Sequence, residues 1–385
     1  MTKSPILASG LLAALAPLTA CLPPEAPAAV TGAPTTAMEG KVARALQTAP
    51  LCAVSWAQDG WLPSEGAAAQ RLSIPSLTQE HYNQVFDIHS TLSAASAELI
   101  VSTNGNWHSA LRRLLGEVYF PGHPSVQASH LITTSPPIAL AQLQSGRVKV
   151  GNLLYTQAQP HVVVAPGAEL NSLQAAGYLS GSRVNIIRTY GSVILKRRGD
   201  HHINEFWDLR RVDPGRFASS DPSEGGSYTT YRDSLLNIAL NNPRRPNRTP
   251  EQIAEEAAEL QAQLFDQAGV VTIGPPMHRS VAHSIATGQA DAGLYFLHLA
   301  VTAMRENPGL FEAVYLASDR SGSTDDPEVL AQGQTPVVGN AIGTFAVSRT
   351  SVAVSAAQAT AREDFILALQ SPAFTDILTQ TGLRR

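Results

Sequence analysis

Hydroxyl-bearing residues gather where apolar runs give way to helical patterns. Three such places stand out: Ser102-Thr103-Asn104, Thr133-Thr134-Ser135, and Ser219-Ser220-Asp221 running on to Ser223 and Ser227. A helix N-terminus offers N–H groups without intrahelical partners and a partial positive charge, and Ser or Thr hydroxyls beside it can donate to a bound oxygen. Such a loop holds an anion without any Lys or Arg. Taken singly, each run is explained by helix capping. Converging on one cleft they form a binding site, and loops at the carboxyl ends of parallel strands are where α/β folds bind ligands.

Other chemistries have less local support. No G-x-S-x-G elbow accompanies the serines, so a secreted serine hydrolase is the weaker alternative and no catalytic residue is assigned. His201-His202 and the pair His278 and His283 are the nearest candidates for a metal, but a five-residue spacing puts two histidines on different helix faces, and there is no HExxH or CxxC. No metal or cofactor is expected, and without a P-loop or G-x-G-x-x-G nucleotide binding has no basis. The basic runs Lys196-Arg197-Arg198 and Arg244 to Arg248 read as solvated faces rather than nucleic-acid patches. Among the aromatics, Trp107 reads as core, whereas Tyr228 and Tyr295 lie next to glycines and could stack on an organic solute.

The elements that must position these residues follow from periodicity. Glu98 to Thr103 is a strand, Asn104-Gly105-Asn106 a turn, and Ser109 to Val118 carries Leu111, Leu114, Leu115 and Val118 at helical spacing. The unit recurs as a short strand near Leu131, the second hydroxyl run, and a helix starting near Pro136 with Ile138, Leu140 and Leu143. It recurs again as Val162 to Val164 followed by a helix over Glu169 to Ala176. Alternating strands and helices with short loops predict an α/β fold with mainly parallel sheets. "NIIRTYGSVILKR" reads as a strand pair or one long strand, and Thr249-Pro250-Glu251 as a helix entrance with cap, proline and acid in place. Residues 41–97 form an N-terminal extension in which "TQEHYNQVFDIHSTL" reads as a helix or a covering arm.

A chain of 385 residues is comfortable for two lobes. Charged residues make up 15% and the net charge is −4, so neither nucleic acid nor an acidic surface is an expected partner. Lys3 and the apolar stretch Ile6 to Leu18, about 13 residues, read as an export signal over 1–20, too short to span a bilayer. Leu18-Thr19-Ala20-Cys21 resembles a bacterial lipobox, with Cys21 the lipidated residue, and residues 21–40, rich in Pro, Ala and Thr, read as a tether. These features predict an exported protein, periplasmic or on the outer face of a bacterial membrane, held there by its lipid.

Several strings, in order, resemble landmarks of the periplasmic molybdate-binding proteins: the stretch Thr133 to Gly146, "PHVVVAPGAELNSLQAAG", "SDPSEGGSYTTYRDSL" and "GQADAGLYFLHLA". The resemblance covers roughly residues 98–385 and implies a two-lobed type II periplasmic-binding fold with a hinge. Lobe 1 would comprise 98–188 and 344–385, and lobe 2 would comprise 189–343. It implies a monomeric receptor that binds a small oxyanion such as molybdate or tungstate and delivers it to the membrane subunits of an ABC importer, with a small organic solute as the alternative ligand. In that family serines of the first two strand–helix loops hold the oxyanion. These match Ser102, Thr103 and Asn104, and Thr134 and Ser135. Backbone donors come from a loop matching Ser223, Gly225, Gly226, Ser227 and Tyr228, and from one matching Met277 and His278, with Tyr295 as a closing tyrosine. The chain departs from the family at Trp107, at Phe296-Leu297-His298 and at Glu224, where a carboxylate would repel an oxyanion unless turned outward.

Overall fold

The computed structural model describes residues 77–81, 84–90, 97–124, 126, 129–135, 140–150, 153–220, 222, 225–241, 247–266 and 277–385. The expected export signal, Cys21, the tether, most of the extension, and Asp221, Ser223 and Glu224 lie outside the described residues.

From the N-terminal side, β1 (Leu77–His81) and β2 (Gln84–Ser90) form an antiparallel hairpin. β3 (Leu99–Asn104) leads through a 3-10 turn at Gly105–Trp107 into α1 (His108–Arg113), which continues as a π-helical turn over Leu114–Tyr119. Next come β4 (Ser129–Ser135), α2 (Leu140–Ser145), the small hairpin of β5 (Val148–Val150) and β6 (Leu153–Tyr155), then β7 (Val162–Pro166), α3 (Gly167–Ala175) and β8 (Leu179–Arg188). The middle of the chain supplies β9 (Ser192–Arg197), β10 (Phe217–Ala218), α4 (Gly225–Asn241), α5 (Pro250–Gln261) and α6 (Met277–Ala286). It continues with β11 (Ala292–Phe296), α7 (Leu297–Glu306), β12 (Phe311–Val314), β13 (Ser323–Thr324) and α8 (Pro327–Ala331). β14 (Thr344–Thr350), α9 (Ala356–Gln370) and α10 (Pro372–Gln380) close the chain.

Apart from the two-stranded β5–β6 hairpin, these strands build two sheets, in the orders β1-β2-β4-β3-β7-β14-β8 and β10-β11-β9-β12-β13, so the molecule is a two-lobed α/β protein. In the first sheet, β3 and β7 are buried along nearly their whole length because both faces are covered, with β7 apolar throughout and β3 apolar over Leu99 to Val101. Side chains alternate across a strand. Leu99, Val101, Val162 and Val164 therefore meet α1, α9 and α10 on one face, while Ile100, Val163 and Ala165 meet Leu143, Leu170 and Leu173 on the other. The second sheet has its own core, in which Val193, Leu195, Phe217, Leu294 and Phe311 pack with Leu235, Val281 and Ala300 from the helices.

Strand direction is more mixed than the expectation of mainly parallel sheets. β4, β3 and β7 run parallel, as do β10 and β11, because helices connect them. β14 and β9 lie antiparallel to their neighbours, since each enters its sheet after a crossing from the other. The segment "TQEHYNQVFDIHSTL" is neither helix nor covering arm: its described part forms strands, and β2 adds antiparallel to β4. Pairing onto an available sheet edge overrides local propensity there. The second hydroxyl run lies on β4 itself, and the following helix is described from Leu140, the expected start near Pro136 lying outside the described residues. α5 begins as expected, with Thr249 capping, Pro250 at the first position and Gln252 completing a capping box. Among the described residues no helix is long and apolar enough to cross a membrane.

Candidate ligand-binding site

Because β4, β3 and β7 are parallel, their carboxyl ends reach the same edge of the first sheet. Register pairs Ser102 with Ile132, Thr103 with Thr133 and Asn104 with Thr134, so Ser135 lies one step beyond Asn104's partner at that edge. β7 pairs with β3 on its other side and leads at Pro166 into α3. The first two hydroxyl runs are therefore neighbours in space.

Not all of these residues are available to a ligand. The Trp107 indole N–H donates to the Thr103 hydroxyl at 2.7 Å, and Trp107 is only 1% exposed. That hydroxyl anchors the loop to the core. Beside it, the Asn104 side chain hydrogen-bonds the carboxyl of Glu169, in the first turn of α3. Burial pushes this carboxyl up to about 7, against the opposite pull of the Asn104 hydrogen bond.

In the second sheet the parallel pair β10 and β11 ends at Ala218 and Phe296. Ser219 and Ser220 follow β10 directly, at 3% and 1% exposure, and among the described residues neither hydroxyl has a hydrogen-bond partner. Native structures pair nearly all such groups, so two adjacent unpaired hydroxyls call for an explanation. The 17-residue α4 starts shortly afterwards, carrying Gly225, Gly226, Ser227 and Tyr228 in its first turn. Tyr228 is half-buried with its ring edge-on to Phe265 at 5.8 Å. Tyr231, one turn on, is core, and its hydroxyl accepts the Phe296 N–H at 3.2 Å. Tyr295 is 2% exposed and belongs to the second core. Met277 and His278 open α6.

The two edges approach one another. His298, just past the carboxyl end of β11, places Nε2 2.6 Å from the carbonyl oxygen of Asn106, just past the carboxyl end of β3. Two crossings join the sheets. The Thr189 N–H donates to the Gly343 carbonyl at 2.9 Å, and the Gly343 N–H donates to the Thr189 hydroxyl at 2.8 Å. Nearby, Asn340 accepts the Ser192 N–H at 2.8 Å and donates to the Ser192 and Leu316 carbonyls.

The structure thus brings Asn104, Thr134 and Ser135 to one edge, and Ser219, Ser220 and the start of α4 to the edge of the other sheet. Sequence reasoning missed Glu169, whose only signal was an acid in the first turn after "VVVAP", and it noted Ser219 and Ser220 without choosing them. Among the described residues no cluster of His, Cys, Asp and Glu could hold a metal ion.

No curated protein matches the chain. Similar solved structures include Peb3 from Campylobacter jejuni, at 11% identity and a TM-score of 0.44 over 74% of this chain and 99% of that one. They also include the sulfate-binding protein SubI from Mycobacterium tuberculosis, at 14% and 0.44 over 74% and 85%. A solute-binding protein from Agrobacterium vitis with bound D-mannitol shares 9% and 0.43 over 74% and 77%. A family model described as bacterial extracellular solute-binding protein matches residues 116–384. That span takes in β4, β7, both crossings and the whole second sheet, and by it the chain belongs to the family of bacterial extracellular solute-binding proteins.

Proposed function

We propose that this protein is the exported receptor of an ABC importer, anchored through Cys21 and monomeric, which captures a small oxygen-rich solute between two lobes. Lobe 1 comprises 98–188 and 344–385, lobe 2 comprises 189–343, and the crossings at Thr189–Gly191 and Gly343 act as the hinge. The observation that carries this reading is the pair of buried, unpartnered hydroxyls of Ser219 and Ser220 at the carboxyl end of β10. Leaving such a group unpaired costs about 1–3 kcal/mol, and a ligand oxygen accepting from it removes that cost. Ser102, Thr134, Ser135, Ser227 and the backbone N–H groups of the α4 and α6 entrances complete the set. Binding stabilises the closed form that the membrane subunits recognise, and no covalent bond is made or broken.

The simplest ligand for such neutral donors is a tetrahedral oxyanion such as molybdate or tungstate. Ser102→Ala combined with Ser135→Ala should weaken oxyanion binding by at least about tenfold, or about 1.4 kcal/mol, in titration calorimetry. Unchanged molybdate affinity in the double variant removes these two serines from the site. A thermal-shift series with molybdate, tungstate, sulfate, phosphate and small organic acids tests the ligand itself, because a solute bound only by the folded state raises the melting temperature. A small organic solute is the second reading, favoured by the Glu169 carboxyl, which repels a fully ionised oxyanion.

A further inference from the structure

Among the described residues, Glu169 is an acid without a cation. Partly buried acids elsewhere have basic partners: Glu312 faces Lys196 at 3.5 Å, and Glu256 faces Arg210 and Arg248 at 3.5 and 2.8 Å. Glu169 has the Asn104 side chain and, among the described residues, no ion pair. A guanidinium does lie along the same helix. Arg183 reaches the Leu170 carbonyl at 2.8 Å, the Asn171 amide oxygen at 2.6 Å and the Gln174 amide oxygen at 3.1 Å, all neutral acceptors. A partly buried carboxyl with no counter-charge among the described residues is costly to ionise, and burial pushes it up to about 7 against the opposite pull of the Asn104 hydrogen bond.

The opposite edge has the complementary deficit. Ser219 and Ser220 are hydroxyls nine-tenths buried with no partner among the described residues, ahead of the positive end of a 17-residue helix. One edge therefore lacks a donor or cation, and the other lacks an acceptor or anion. The His298–Asn106 contact brings the loops of the two edges together.

We propose that the solute is a small zwitterion: its oxyacid end takes the Ser219 and Ser220 hydroxyls and the α4 N-terminus, and its ammonium end takes Glu169, which Asn104 orients. This rests on the receptor reading above and names the ligand class for the same site. A fully deprotonated oxyanion satisfies one edge and leaves Glu169 unmatched, and a simple diamine satisfies the other edge alone.

Calorimetry on the full chain with taurine, β-alanine, 2-aminoethylphosphonate, molybdate and putrescine tests the proposal, using wild type, Glu169→Gln and Ser220→Ala. Glu169→Gln keeps the side-chain shape and an oxygen for Asn104, and circular dichroism verifies folding. The expected result is that at least one of the three zwitterions binds more tightly than molybdate and putrescine. Both variants should weaken that zwitterion by about tenfold or more, while Glu169→Gln leaves any molybdate affinity unchanged or improved. Tighter binding of molybdate than of every zwitterion, with Glu169→Gln neutral or favourable, overturns the zwitterion and leaves the receptor standing. Failure of all five probes to bind the folded wild type overturns both.

Discussion

At the scale of single residues, two titratable groups packed at the first sheet pull stability in opposite directions with pH. His161 is 3% exposed, and its Nδ1 accepts the Ile100 N–H at 3.3 Å. Burial, then the nearby charge of Arg362, lowers it from 6.5 to about 4, against a hydrogen bond to the Glu98 backbone. The unfolded chain therefore takes up this proton below 6.5 while the folded one refuses it, so His161 withdraws stability as pH falls from 6.5 to 4. Glu169 is raised instead, from 4.5 to about 7. The folded form takes its proton first, so that contribution is fully present below 4.5 and is lost as pH rises through 7. In thermal melts, His161→Asn should flatten the acid limb, by about 3 kcal/mol at most between pH 7 and 4. Glu169→Gln should raise the melting temperature at pH 8 and leave it unchanged near pH 4. An acid limb unaltered in His161→Asn contradicts the assignment.

Residues also explain why the family-like strings are legible as fold and poorly legible as site. In "GQADAGLYFLHLA", Gly288 takes a left-handed φ of 75°, and Asp291 forms a bidentate pair with Arg216 at 2.6 and 2.8 Å. Gly293 has no room for a Cβ, which would meet the Ala218 carbonyl oxygen at 2.4 Å, and Tyr295 is core. Each position answers to the docking of β11 on β10. Ser219 and Ser220, whose hydroxyls lack partners among the described residues, and Glu169, which lacks a counter-charge there, have no pattern of their own, because what distinguishes them is a missing partner, which only three dimensions reveal.

At the scale of elements, helices with a cap and strands buried on both faces were readable because local chemistry and tertiary environment agree. β3, β7 and α5 are the clear cases. The β1–β2 hairpin and the antiparallel entries of β9 and β14 were not readable, since they depend on partners far along the chain. The crossing between β8 and β9 shows what such partners require. Gly191 has φ 77°, and a Cβ there would meet the Asn340 side chain at 2.6 Å. Asn340 itself is buried and satisfies three backbone groups, the Ser192 N–H and the Ser192 and Leu316 carbonyls. Gln334 adds hydrogen bonds to the Tyr190 and Ser192 carbonyls, each at 3.0 Å. Asn340→Ala leaves a buried N–H without its acceptor, and should cost about 1–3 kcal/mol in urea unfolding. Gly191→Ala should destabilise as well, since it combines strained backbone with a clash. A wild-type midpoint in Asn340→Ala rules out this brace.

At the scale of the whole molecule, the chain builds the second sheet from one continuous stretch and the first from two. β14 inserts between β7 and β8, and α9 and α10 supply Phe365, Ile366, Phe374 and Ile377 to the core under β3 and β7. Without residues 344–385, β7 and β8 lose the strand between them and one face of the sheet loses much of its cover. The second sheet, by contrast, draws its strands and core from 192–331 alone. A fragment of residues 189–343 should therefore unfold cooperatively on its own, whereas 97–188 should stay without a cooperative transition until 344–385 is supplied in trans. Phe365→Ala in the intact chain should cost about 3–5 kcal/mol and act on the first sheet alone, so amide exchange should quicken in β3 and β7 while β9 and β11 keep their protection. Equal loss of protection in both sheets would mean that the lobes unfold as one cooperative unit, and closure around a solute would then have to be sought in local motion rather than between two separately stable bodies.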